Sequence, residues 1–569
     1  MKRIGVLPDD VLLEIFDFYM IMNIPYGGKT SVEAWQSLVH VCQRWRSLVL
    51  QSRRRLNLRL YCTPETPTRD KLDIWPALPL VVGGNMLSSG TDNIIVALGQ
   101  TNRLCEVSLW DIADRKLERV LAAMQVPFPE LTYLRLGPGL YSIGEVLVIP
   151  DSFLGGSAPR LRSFALYGIP FPGLPKLLSS ATHLVYLALS NIPHSGYISP
   201  KAMITLLSVL SSLDSLILEF QSPQNRPDSE SPSLPPLRRS ILPALTSLQY
   251  KGVTEYLEEL VTGIDTPQLD FLLITFFNQI DFDTPRLAQF INCTPTLRSP
   301  DEAAHVQFGD NFAYVELSAS FPTPILKIVI LCREPDWQLS FIEQVCNSSL
   351  EPLSTVEDFY IEHRRWRPVW MNDAVENTLW LQLLLPFIAV KNLYLSKEFA
   401  PGIVVTLQEL VGGRITEVLP NLQNIFVERL EPSGPFQENI GRFVAARRLS
   451  GHPVAISDWG NGYNDSRLPY PTSTYSLGLP PSSPSLQDSR SVYPPISHRA
   501  GQQLVSYVYG DADSERTGSF VAARSDSNDE EDTENGMVAP FAHALAGCCC
   551  QARWHLQWLC LGLFCCQAA

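Results

Sequence analysis

Apolar residues recur along this chain in two rhythms. Near the start, Val11, Leu12, Ile15, Phe16, Tyr19 and Met20 fall at i, i+1, i+4, i+5, i+8 and i+9, so a helix gathers them into one wide stripe. Pro8 stands at a first-turn position, and Asp9, Asp10 and Glu14 follow, which suits the positive end of a helix dipole. Ser31 is placed to cap a second helix with Trp35, Leu38, Val39 and Cys42 on one face, and Trp45, Leu48 and Val49 carry the spacing into a third. Three short amphipathic helices in about 45 residues bury little core alone and need a partner surface or another domain.

The second rhythm is apolar-x-x-apolar-x-apolar. It occurs at Leu104-Val107-Leu109, Leu131-Leu134-Leu136, Leu161-Phe164-Leu166, Leu184-Leu187-Leu189, Leu213-Leu216-Leu218, Leu245-Leu248-Tyr250 and Leu269-Leu272-Ile274. After an irregular unit near Leu297 it returns at Leu326-Val329-Leu331, Val356-Phe359-Ile361, Val390-Leu393-Leu395 and Leu422-Ile425-Val427. Successive units start 23 to 34 residues apart, the period of the longer leucine-rich repeats. In such a unit the three apolar positions send a short strand's inward side chains into a shared core, and a helix returns the chain. Segments such as 203–213 and 254–263 have helical spacing between strand signals. Pro129, Pro159, Pro243, Pro267 and Pro420 precede strands, where proline ends a helix. One unit cannot bury its own face, so the units must stack. The expected fold class is therefore α/β: a three-helix module, then a curved leucine-rich-repeat-like solenoid with a parallel sheet. The Asn or Cys of strict repeats is mostly absent, so the units are degenerate.

Between the two lies a junction or first-repeat cap, residues 53–99. Leu56, Leu58 and Leu60 alternate as a strand does, and Trp75-Pro76-Ala77-Leu78-Pro79 is expected to end an extended segment. The helical module spans 5–52 and the solenoid 100–459. Residues 460–540 turn rich in Pro and Ser and then acidic, a composition expected to be disordered. Residues 541–569 form a Cys-rich apolar tail.

The 569 residues and 45% hydrophobic content suffice for a large core. A net charge of −14 argues against nucleic-acid binding, which needs a basic footprint. The opening Met-Lys-Arg-Ile-Gly leads into a charged helix and not a long apolar run, so no secretory signal is expected. Six of the twelve cysteines lie in the last 22 residues; the others are scattered, as in a reduced protein of the cytoplasm or nucleus.

Leu7-Pro8, Ile15-Phe16 and the cluster Val41-Cys42-Gln43-Arg44-Trp45 resemble an F-box. With residues 294–303, 383–397, 419–430 and 443–459, the order of parts is similar to fungal F-box proteins with degenerate leucine-rich repeats. That resemblance implies adaptor binding by Leu7, Pro8, Val11, Ile15, Phe16, Val41, Cys42 and Trp45. The partner would be a Skp-type adaptor and, through it, a cullin. The chain would be the substrate receptor of a ubiquitin ligase, holding an unidentified protein substrate and supplying proximity to a transfer enzyme. The alternatives are a repeat scaffold whose first helices only cap the solenoid, and an enzyme in the repeat domain, which would need clustered carboxylates or histidines in a deep pocket.

Several motifs fall short. Residues 23–30 (NIPYGGKT) end like a phosphate-binding loop, but Asn23 stands where glycine is required and a helix precedes it. Asp511, Asp513 and Glu515 begin a calcium-loop pattern that Arg516 and Ala522 break. Cys548, Cys549, Cys550 and His555 lack zinc-ligand spacing. Neither a catalyst nor a cofactor is expected. Membrane attachment would require lipidation of the tail, where Cys566 opens a prenylation-like box beside Cys560 and Cys565. His363–Arg367 is a basic–aromatic cluster suited to an acidic degron or to a solvated repeat edge.

Overall fold

The computed structural model describes residues 7–22, 34–51, 56–85, 90–112, 114–138, 147–223, 239–277, 282–298, 303–318, 325–332, 334–348, 350–363, 377–410, 412–429 and 435–459. All belong to one unit, Met1–Ser476; Leu477–Ala569 form a second, outside these residues.

The N-terminal helices are α1 (Asp9–Met22), α2 (Ala34–Val39) and α3 (Gln43–Gln51). Eleven more follow: α4 (Thr68–Ile74), α5 (Thr91–Leu98), α6 (Asp114–Ala123), α7 (Leu174–Leu178), α8 (Pro200–Leu207), α9 (Thr254–Gly263), α10 (Pro285–Cys293), α11 (Pro335–Asn347), α12 (Asn377–Leu384), α13 (Ala400–Gln408) and α14 (Pro435–Leu449). Interleaved with them are β1 (Leu58–Tyr61), β2 (Leu80–Asn85), β3 (Leu104–Ile112), β4 (Tyr133–Pro138), β5 (Ser163–Tyr167), β6 (Tyr186–Ile192), β7 (Ser215–Phe220), β8 (Ser240–Ile241) and β9 (Ser247–Gly252). The strands continue with β10 (Ile264–Asp265), β11 (Phe271–Phe277), β12 (Ala303–Phe308), β13 (Phe312–Ser318), β14 (Leu326–Leu331), β15 (Asp358–His363), β16 (Asn392–Leu395), β17 (Asn424–Glu428) and β18 (Ala455–Trp459). Sixteen of these strands form one sheet in the order β1-β2-β3-β4-β5-β6-β7-β9-β11-β14-β13-β12-β15-β16-β17-β18, and β8 pairs with β10 separately.

Stacking is in register. Leu134, Phe164, Leu187, Leu216, Leu248 and Leu272 align across successive strands, and so do Leu136, Leu166, Leu189, Leu218, Tyr250 and Ile274. All are buried. At Tyr250 the phenol reaches the same core and donates to the Val253 carbonyl at 2.8 Å, which satisfies its hydroxyl. In ten of the eleven repeat units all three apolar positions are buried. This is a leucine-rich-repeat-like solenoid, with strands at the inner positions and helices returning the chain. Where β5 and β6 end, Gly168 and Asn191 both take positive φ (63° and 54°), which glycine and asparagine tolerate best.

The structure corrects four expectations. In all units but two the first apolar position lies not in the strand but just before it; Leu104 and Leu326, which open β3 and β14, are the exceptions. Leu131, Leu161, Leu184 and Leu213 each donate a backbone N–H three residues back. Strand side chains alternate with period two, so positions 1 and 4 share a side there only because a turn intervenes. Second, the sheet itself starts before residue 100: β1 and β2, within the junction or first-repeat cap at 53–99, already pair in parallel with each other, and β2 with β3. Third, Trp75 ends a helix, α4, not an extended segment; Pro76 forces the Trp75 backbone to an extended φ/ψ of −68°/142°.

The fourth correction concerns the irregular unit near Leu297. After α10 the chain skips two strand positions to lay down β12, returns antiparallel as β13, and only then forms β14 beside β11. The sheet is therefore not wholly parallel. On β14 the buried residues are Leu326, Ile328 and Ile330, so the expected trio Leu326-Val329-Leu331 was out of frame.

Candidate functional site

The three N-terminal helices join the repeats through their inner faces. Leu12, Leu13 and Phe16 of α1 are buried, as are Trp35, Leu38 and Val39 of α2 and Val49 of α3. Trp35 meets Trp75 edge to face at 6.4 Å, tying α2 to the first repeat. Phe16 packs on Trp45 at 4.8 Å, tying α1 to α3. Arg44 of α3 donates to the Leu7 carbonyl at 2.6 Å and to the Asp9 carboxylate at 2.5 Å. The start of α1 is thereby fastened to the start of α3. The Leu-Pro opening and the Val-Cys-x-x-Trp cluster, far apart in sequence, come together through Arg44 and the Phe16–Trp45 contact.

The eight residues named from the sequence divide into two sets. Phe16 is wholly buried, and Leu7 and Trp45 are half-buried against the core. Pro8, Val11, Ile15, Val41 and Cys42 are exposed. Helix α1 thus has two apolar stripes. Leu12, Phe16 and Tyr19 face inward, while Val11, Ile15 and Phe18, at i, i+4 and i+7, face out. Val11, Ile15, Phe18, Val41 and Leu50 are between 37% and 46% exposed. A helix that is apolar on both sides has a second surface to cover. Phe18 and Leu50 were not singled out in the sequence. The i+3 step from Ile15 to Phe18 pointed to the first; nothing in the pattern separated Leu50 from the core residue Val49.

The remaining candidate chemistry is thin. Among the described residues no group of three or more His, Cys, Asp or Glu is placed to hold a metal, and no helix is long and apolar enough to cross a membrane. Cys62, Cys332 and Cys346 are buried free thiols, while Cys42 and Cys293 are exposed. Burial pushes the Cys62 and Cys105 thiols up to about 12, so neither offers a thiolate at neutral pH. The segment 23–30, Ser31, Arg364–Arg367 and every tail residue named above lie outside the described residues.

No protein-family model matches the chain, and no curated protein matches it. Among solved structures the chain is similar to the crystal structure of the leucine-rich repeat-containing protein LegL7 from Legionella pneumophila. The likeness covers 70% of this chain and 98% of that one, at 14% identity and a TM-score of 0.24.

Proposed function

We propose that this chain is a non-catalytic receptor: its N-terminal helices dock a Skp-type adaptor of a cullin–RING ubiquitin ligase, and its repeats hold a protein substrate. The observation that carries the reading is the doubly apolar α1. Its inner stripe is already used in folding, which leaves Val11, Ile15 and Phe18 with an apolar face turned to solvent; Pro8 and Val41 are exposed as well. A partner helix or groove covering that face gains roughly 25 cal/mol for each Å² of apolar surface removed from water. The choice of a Skp-type adaptor as the partner rests on what the resemblance to an F-box implies.

Affinity purification of the wild-type chain is expected to recover the adaptor and the cullin. Pro8→Ala with Ile15→Ala is expected to lose both, while leaving the fold intact because both residues are exposed. A folded wild-type complex without adaptor would sink the reading.

A second reading has its own support. Trp35, Leu38, Val39 and Phe16 close the end of the repeat stack, so the helices have a structural task as a cap. An interaction scaffold without ligase assembly would use them for that alone, and would show no adaptor in the same experiment.

A further inference from the structure

The outward face of the last strands carries a row of rings. His305, Tyr360, Tyr394 and Phe426 align across β12, β15, β16 and β17. Their centroids lie 4.3, 4.1 and 4.6 Å apart, with ring planes within 10° of parallel. The row stops at β18, where Ser457 is the register partner of Phe426. Serine is too small to cover the last ring face. One rung further along β18, Trp459 leans back across the row, 5.6 Å from Tyr394 and 6.0 Å from Tyr360 and steeply inclined to both. Its register partner is Glu428. Phe426 and Glu428, two residues apart on the outward face of β17, therefore bound a half-buried corner on the β18 side, while the Trp459 ring lies beyond it over Tyr394 and Tyr360.

The same sheet face shows what such corners hold. Arg135 lies over the Trp110 ring at 3.4 Å. Lys327 lies over Tyr314 at 3.6 Å while pairing with the Glu316 carboxylate at 2.7 Å. In each case a neighbouring strand supplies the cation. At the corner, ring and carboxylate are present, and among the described residues no cation lies over Phe426 or Trp459 or pairs with Glu428. Strands β15 to β18 include Asp358, Glu362, Glu428 and Asp458 but neither lysine nor arginine. Arg429 follows β17 directly, exposed and at a positive φ of 52°.

We propose that this corner receives an arginine side chain of an extended protein segment, its guanidinium stacked on Phe426 and paired with Glu428. The inference deepens the proposed receptor role and rests on the part of it that gives the repeats a protein partner. Arginine suits the corner because its flat, delocalised cation stacks on rings while forming a forked bond to a carboxylate.

The test titrates the full-length chain with a fluorescein-labelled short peptide alternating arginine and glycine, read by anisotropy, with a glutamate-for-arginine peptide alongside. Saturable binding of the arginine peptide alone is expected, weakened about fivefold by Glu428→Gln and by Phe426→Ala. Ile15→Asp should leave it unchanged. Equal binding by wild type and Glu428→Gln, or no saturable binding, overturns the proposal; Glu428→Gln decides if Phe426→Ala does not fold. Peptide uptake that merely dissociates a dimer, seen by sedimentation, would assign the face to a second copy and also overturn it. Failed peptide binding with adaptor capture intact rejects this inference alone. Peptide binding without adaptor capture rejects the ligase role alone.

Discussion

Ile15 and Phe16 are chain neighbours with opposite tasks. Phe16 is fully buried against Trp45 and Ile15 is 44% exposed. Phe16→Ala is expected to cost about 3–5 kcal/mol of stability, because it empties a packed site. Ile15→Ala should change stability by less than about 0.5 kcal/mol, as exposed substitutions usually do. Chemical denaturation of the two variants reads the difference directly. His305 offers a pH test. Burial, with Lys327 nearby, holds its imidazole below the ordinary 6.5, against the opposing pull of Glu316. The folded chain then binds fewer protons than the unfolded one below that pH, so the stability His305 contributes is whole above about 6.5 and is lost on acidification. His305→Phe keeps the stack on Tyr360 and removes the titration. Its melting temperature should fall less than that of the wild type between neutral pH and pH about 5.

Among the elements, β13 departs most from the repeat rule. It turns antiparallel because β12 and β13 form a hairpin: Ala304, Val306 and Phe308 alternate inward, Gly309 to Asn311 turn, and Ala313, Val315 and Leu317 alternate inward again. That alternation and the Gly-Asp-Asn turn were present in the sequence as a hairpin signal. The leucine-repeat frame does not register them, because each of its units has a three-residue step before the two-residue one, and a hairpin strand steps by two throughout. Gln338 of α11 secures the insertion, donating from Nε2 to the Gly309 and Cys332 carbonyls at 3.0 and 2.7 Å while fully buried. Gln338→Met fits the volume but leaves both carbonyls without that donor. An expected loss of about 1–3 kcal/mol would appear in thermal unfolding, with hydrogen exchange fastest in β12 and β13. Elsewhere the regular units were legible, since stacking demands apolar residues at fixed offsets and the chain supplies them. Leucine-rich spacing reports burial more faithfully than it reports strand order.

For the molecule as a whole, repeat stacking yields one long sheet whose first strand is approached by α1 to α3 and whose last strand ends at Trp459. The two features singled out for partners lie on elements at either end of that order: an outward stripe on α1 and a ring-and-carboxylate corner on β17, on the β18 side. The first was half legible. The sequence marked Val11, Ile15 and Phe16 as one apolar stripe, and that single wide stripe gave no means of dividing Phe16, turned inward, from Ile15, turned outward. The second was not legible. Tyr360, Tyr394, Phe426 and Trp459 belong to separate repeats, and only strand register brings them together.

The proposed partner of the outward stripe of α1 is a Skp-type adaptor. Titration of the purified chain with purified adaptor tests this most directly. One-to-one binding is predicted, weakened about 30-fold or more by Ile15→Asp, as for a residue at the centre of an interface. A folded wild-type chain that binds no adaptor, or an Ile15→Asp variant that binds as tightly as wild type, would contradict the account.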